Sequence, residues 1–260
     1  MEIAERTVRV AGLDVRVRQA GAAPILYLHG VPTHSYEWLP FLERFGGIAP
    51  DLPGFGHSAK PADFDYSIAG YEAFLAELTA ELDLDRLALV MHDWGSVGLA
   101  FAQRFPERIE RMAMFPVVPF VPGYRWHAVA RGWRTPVVGE LLMGFSTRWA
   151  FRRELPRELA DAAWQTFDHG TQRAILKLYR SSSSEVLARA GERLGDVRAP
   201  ALILWAEDDP YLPAVFGRRL ADALGGEVSL ELVEGGRWSW HGPGPGHRDL
   251  VARVGDFLAH

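Results

Sequence analysis

The 260 residues carry 28 Lys/Arg against 33 Asp/Glu, a formal charge of −5, with 48% apolar and 23% charged residues. That balance suits one folded globular domain and argues against a nucleic-acid or membrane partner. The absence of cysteine excludes disulfides and thiol chemistry, no apolar run nears the roughly 20 residues that span a bilayer, and the charged start Met1-Glu2-Ile3 lacks a signal core, so a cytoplasmic location is expected.

Residues 7–10 and 14–19 alternate apolar and polar around Ala11-Gly12, which predicts an antiparallel hairpin at a sheet edge. Pro24-Ile25-Leu26-Tyr27-Leu28 reads as a short buried strand running into the loop His29-Gly30-Val31-Pro32-Thr33. A helix over about 36–45 and a short strand over 47–50 follow. The turn Asp51-Leu52-Pro53-Gly54-Phe55-Gly56-His57-Ser58 comes next, and then a helix over 67–82 with apolar residues at helical spacing. After a further strand over 109–115 the alternation stops at Pro116, Pro119, Pro122 and Gly123. Residues 120–195 then read as helices only, and between Tyr124 and Arg180 ten Lys/Arg face five Asp/Glu. Alternation resumes with a strand over 200–205, a helix near 214–224, a strand over 228–233 and a last helix from about 248 to 258. Strands alternating with helices predict an α/β chain with a mostly parallel sheet. A helical insertion between its halves would lie over the strands' C-terminal ends, where ligands bind in such sheets.

The stretch with the most chemistry is Leu87-Ala88-Leu89-Val90-Met91-His92-Asp93-Trp94-Gly95-Ser96. A strand-length apolar run meets a polar pair and a Gly, and a helix-like segment begins at Val97. That is the pattern of a nucleophile elbow, with Asp93 at its apex. A carboxylate there can attack carbon and form an ester with the protein. The same Asp could instead simply cap the following helix.

His29-Gly30-x-Pro32, Asp51-x-x-Gly54-x-Gly56-x-Ser58 and His92-Asp93-Trp94-Gly95 together resemble the α/β-hydrolase fold in its aspartate-nucleophile branch. Pro32-Thr33-x-Ser35-Tyr36-x-Trp38, Lys60-Pro61 and Asp93-Trp94-Gly95-Ser96 look most like haloalkane dehalogenases, with epoxide hydrolases as close relatives. The resemblance covers roughly residues 5–118 and 197–258. It implies a core formed by residues 1–119 and 196–260, with 120–195 as an inserted helical cap. It further implies a cofactor-free and metal-free hydrolase acting through an aspartyl ester on a small apolar or halogenated molecule and water. The chain would be a monomer or homodimer. Asp93 would be the nucleophile, and backbone N–H groups of Trp94 and Val31 would face the ester oxygen. The Trp94 indole N–H would serve the departing halide. Trp205-Ala206-Glu207-Asp208-Asp209-Pro210 resembles the motif that places the acid before Pro, which nominates Asp209, with Asp208 as the adjacent alternative. His29 and His92 read as structural.

The base position departs from that pattern. The family places Gly-His shortly after the last strand, and this chain reads Gly235-Gly236-Arg237-Trp238-Ser239-Trp240-His241. Counted from the strand, Arg237 takes the histidine position. Counted back from the last helix, His241 falls at the usual spacing, and the Gly242-Pro243-Gly244-Pro245-Gly246 run accounts for the disagreement. The expectation is His241 as base, with His247 a minor third possibility. The alternative is a catalytically impaired binder, because Arg cannot be deprotonated at working pH. In the cap, Tyr179 resembles one of the epoxide hydrolase tyrosines. A second is not evident, Tyr124 being in the linker. Trp149 is the chosen second halide donor, ahead of Trp126, Trp133 and Trp164.

Overall fold

The computed structural model describes residues 1–241 and 245–259, without the side chains of 245–248. Eight strands form one sheet: β1 (Ala4–Val10), β2 (Leu13–Ala20), β3 (Ile25–Leu28), β4 (Gly47–Pro50), β5 (Leu87–Asp93), β6 (Ile109–Val117), β7 (Ala201–Ala206) and β8 (Val228–Val233). Their order is β1-β2-β4-β3-β5-β6-β7-β8. The β1–β2 hairpin is antiparallel, turns at Ala11-Gly12 and lies at the edge, while β2 pairs antiparallel with β4. Every pairing from β4 to β8 is parallel. The chain is α/β, as its alternating pattern predicts.

Side chains along each central strand alternate between two apolar layers. In β5, Leu87, Leu89 and Met91 join one layer, with α2 (Ile68–Glu81) and α3 (Val97–Arg104). Ala88 and Val90 join the other, with Phe41 and Leu42 of α1 (Leu39–Phe45). A parallel sheet covered on both faces needs such continuous apolar strands, and all seven residues of β5 are buried.

Between β6 and β7 the described residues contain helices and no strand. The helices are α4 (Ala128–Arg134), α5 (Val138–Gly144), α6 (Arg148–Glu154), α7 (Arg157–Gln165), α8 (His169–Ser181) and α9 (Ser184–Ala190). Side-chain caps fix several starts: His127 at α4, Thr147 at α6, Asp168 at α8 and Ser183 at α9 each accept a backbone N–H. The chain closes with α10 (Ala214–Ala223) and α11 (Pro245–Ala259). The last helix starts three residues before its expected position, because its Pro can occupy a helix's first turn. Val251 and Val254 of α11 pack in the layer that holds α1.

Candidate active site

Four loops that matter chemically leave the C-terminal ends of β3, β5, β7 and β8. At the end of β5, Asp93 has φ 50° and ψ −116°, in the left-handed half of backbone space, and a 3-10 turn over Trp94–Ser96 follows. Non-glycine residues avoid that region unless the surroundings enforce it. Two glycines make the room. A Cβ on Gly30 would lie 2.5 Å from Asp93 Cβ, and one on Gly95 would run into the Leu28 carbonyl. Asp93 makes no side-chain cap hydrogen bond to the helix that follows. Instead the Val31 N–H donates to its Oδ1 at 2.7 Å.

The loop after β7 supplies Asp209. Its Oδ1 accepts the N–H groups of Tyr211 at 2.8 Å and Leu212 at 2.9 Å, leaving Oδ2 to face the site. The adjacent Asp208 turns to the β8 loop, where its Oδ1 accepts the Gly236 N–H at 3.0 Å. Gly235 and Gly236, at φ 100° and 70°, let that loop reverse directly after the strand. The residue delivered to the centre is Arg237. Its Nη2 donates to Asp93 Oδ2 and its Nη1 to Asp209 Oδ2 at 3.3 Å, with the guanidinium carbon 5.5 Å from the Tyr211 ring centre. Burial opposes the Arg237 charge, but Asp93 and Asp209 outweigh it and hold the guanidinium above its ordinary range.

His241 does not take the place expected of a base. Its Nε2 donates to the Glu37 backbone carbonyl at 2.9 Å, and its ring lies near Trp238 and Trp240. The strand-side count of the loop is the physically relevant one. The turn is pinned at Gly236 by Asp208, so the residue just after it points inward whatever the length of the chain that follows. The side chain of His247 lies outside the described residues. His92 packs edge-on against Trp238 and Trp240, and its Nδ1 is 2.9 Å from Glu37 Oε1. Burial, aided by the Arg237 charge, lowers His92 to about 3, so it stays neutral. His29 likewise orders its loop, with Nε2 accepting the Leu52 N–H at 2.9 Å.

In front of Asp93 lies a cavity of about 260 Å³. Val31, Asp93 and Arg237 form part of its wall, and Tyr124, Trp126, His127, Trp133 and Tyr179 form another part. Trp94 is buried behind, with its ring 5.3 Å edge-on from Tyr179. Tyr179 lines the cavity, and burial together with the Asp93 charge raises its phenol well above the ordinary range. Trp149 does not line it: the side chain is 70% exposed on α6. The helix turns that face to solvent and directs Ala150 and Phe151 inward. Trp126 lines the cavity but spends its indole N–H on the Ser182 carbonyl at 2.7 Å.

Sequence reasoning set Tyr124 aside as part of the linker and did not single out His127 or Tyr211; all three lie on the cavity wall. The signal was position. Tyr211 comes two residues after Asp209, and Tyr124 and His127 follow the strand beside the elbow, so all three issue from strand ends that converge on one crevice. Burial lowers His127 to about 4, and its Nδ1 accepts the Ala130 N–H, so the neutral ring presents Nε2–H as a donor.

Known proteins share this fold. Over 98% of this chain and 96% of the relative, the sequence is 27% identical to a 2-hydroxy-6-oxo-2,4-heptadienoate hydrolase of Pseudomonas putida. A haloalkane dehalogenase of Agrobacterium fabrum is 37% identical over 113 residues, which are 41% of this chain and 37% of that protein. The solved haloalkane dehalogenase of Bradyrhizobium elkani superposes with a TM-score of 0.82 at 25% identity, covering 99% of this chain and 98% of that one. An epoxide hydrolase shares the fold with a TM-score of 0.84 at 21% identity, over 99% of both chains. Residues 25–254 match the family described as alpha/beta hydrolase, and the chain belongs to that family of hydrolytic enzymes.

Proposed function

We propose that this chain carries out the ester-forming half of an aspartate-nucleophile hydrolase reaction on a small apolar, haloalkane-like electrophile. Asp93 attacks the sp³ carbon, the carbon–halogen bond breaks, and halide leaves with the bonding pair. The resulting alkyl ester is then hydrolysed very slowly. One observation carries the reading: Arg237, which cannot accept a proton, bridges Asp93 and Asp209. The resting centre holds two carboxylates and one guanidinium. Alkylation removes the Asp93 charge and leaves a balanced Arg237–Asp209 pair, so the ester state is electrostatically favoured. Among the described residues on the cavity wall, no unengaged base replaces the missing one. His127 Nδ1 is occupied by a backbone N–H, and Glu154 accepts the Tyr211 hydroxyl at 2.5 Å. Residues 120–195 act as the cap that closes the cavity over Asp93.

A second reading rests on Tyr124 and Tyr179, two phenols on the same wall. Raised above their ordinary range, both stay protonated; Tyr179 can donate to the oxygen of an opening epoxide, and Tyr124 can do so by turning from the Tyr211 carbonyl that it meets at 3.3 Å. Mixing the protein with a haloalkane panel and, separately, with styrene oxide distinguishes the two. The first reading expects halide release that stops near one equivalent, a protein mass increase equal to the alkyl group, and loss of both in Asp93→Ala. The second expects an oxirane adduct or diol with no halide. Sustained halide release over many turnovers would sink the stalled-ester reading, and absence of any adduct would remove Asp93 as nucleophile.

A further inference from the structure

Seven of the nine large hydrophobic side chains that the described residues expose fall between positions 129 and 149. Leu141 and Leu142 of α5, Phe145 at its C-terminal cap and Trp149 in the first turn of α6 are all exposed, Phe145 to 77% and Trp149 to 70%. Monomeric surfaces scatter such residues singly, and a contiguous apolar face marks an interaction site. The same segment is strongly basic. Residues 125–153 hold six arginines and one acid, Glu140, in a chain whose net charge is −5. Arg180 neutralises Glu140, and Asp161 takes Arg148 and Arg152. Arg131 and Arg153 are exposed and make no ion pair among the described residues, and the Arg153 guanidinium lies 5.8 Å from the Trp149 ring centre.

We infer that this face docks on an anionic lipid surface, with Phe145, Trp149, Leu141 and Leu142 entering the headgroup–acyl boundary and Arg131 and Arg153 meeting the phosphates. An apolar ridge with a tryptophan, flanked by unpaired arginines, is the pattern that lies in a bilayer interface. The alternative occupant, a second copy, meets this face with itself across a two-fold axis and sets Arg131 and Arg153 against their own kind. The position of the cavity adds to the argument. Val129 of α4, Ser146 between α5 and α6, and Ala150 of α6 line it, so an apolar molecule dissolved in the bilayer has a short path towards Asp93. That delivery role rests on the reading of Asp93 given above; docking itself does not, and its test is independent of catalysis. The low net charge had argued against a membrane partner, because a whole-chain sum averages out a local excess of arginine.

Sedimentation of the full chain with vesicles tests the inference. Vesicles of phosphatidylcholine with phosphatidylglycerol should pellet the protein, and phosphatidylcholine alone should bind it roughly tenfold more weakly. The Phe145→Ser, Trp149→Ser double variant should lose roughly tenfold or more in vesicle binding, since its apolar anchors are gone. Arg131→Glu with Arg153→Glu should weaken binding to anionic vesicles alone. All four positions are exposed, and an unchanged thermal midpoint would show that the variants remain folded. Failure of the native chain to pellet with anionic vesicles overturns the inference. So does equal binding by the Phe145, Trp149 variant, or a dimer in sedimentation velocity that these substitutions dissolve without any vesicle binding.

Discussion

On the proposed reading, a single side chain sets how far the chemistry runs. Arg237 is nearly buried between two carboxylates, with side-chain exposures of 11% for Arg237, 5% for Asp93 and 0% for Asp209. Replacing it by His puts a group that titrates near neutrality beside Asp209, whose Oδ2 can accept the imidazole N–H and orient the other nitrogen towards water at the ester. Arg237→His should therefore convert one-equivalent halide release into turnover, with a gain of about 10²-fold or more in the steady-state rate. Arg237→Leu should not: it removes the cation, leaves two buried carboxylates uncompensated and costs about 3–5 kcal/mol in urea unfolding. Equal turnover by the His variant and the native protein would show that hydrolysis does not depend on this position. This residue was half legible in the sequence. Its spacing from β8 placed it at the centre, while the spacing from α11 pointed to His241, and the Asp208–Gly236 hydrogen bond that favours the first count is a contact no motif announces.

At the scale of elements, the strand-end loops are tied together by a buried acid that the motifs did not reveal. Glu37 lies in the 3-10 turn before α1, wholly buried, where its Oε2 accepts the Gly30 N–H at 3.4 Å and the Thr33 hydroxyl. Its Oε1 lies against His92 Nδ1 beside the elbow. Burial raises its carboxyl from 4.5 to about 7, the hydrogen bond from Thr33 opposing. The folded state therefore holds this proton more tightly than the unfolded chain. The associated stability is complete below pH 4.5 and is lost as pH rises to 7 and beyond. A shift of this size corresponds to about 3 kcal/mol. Glu37→Gln, isosteric and uncharged, should flatten the stability profile between those two pH values and leave the variant more stable than the native chain at pH 8. An unchanged slope in urea titrations across that range would refute the assignment. The strands themselves were legible because apolar runs and glycine turns are local signals. Glu37 was not, because what gives it a role is long-range burial, and burial of an isolated acid leaves no pattern in the sequence.

For the whole molecule, the alternation of strands and helices and its interruption by a helical stretch could be read directly, whereas the way the two parts meet could not. Among the contacts that join them at the cavity wall, one reaches the end of α6. Tyr211, from the loop after β7, donates its hydroxyl to Glu154 Oε2 at the end of α6, and its ring receives Arg237 from below. Residues 57 positions apart form this link, a separation at which no local spacing rule operates. Burial, with Glu154 adding to it, raises the Tyr211 phenol to about 12, so the bond persists at every ordinary pH. The bond is solvent-accessible, so its contribution to global stability is small, about 1 kcal/mol or less. Its effect should be on access. Tyr211→Phe keeps the ring over Arg237 and removes only the link to α6, freeing that end of the helix to move outward. Adduct formation with branched or long haloalkanes should then speed up relative to bromoethane, with the thermal midpoint nearly unchanged. If every haloalkane reacted with Tyr211→Phe in the same relative order as with the native chain, the link would have no part in admitting substrate, and access would have to be governed by the apolar face around Phe145 instead.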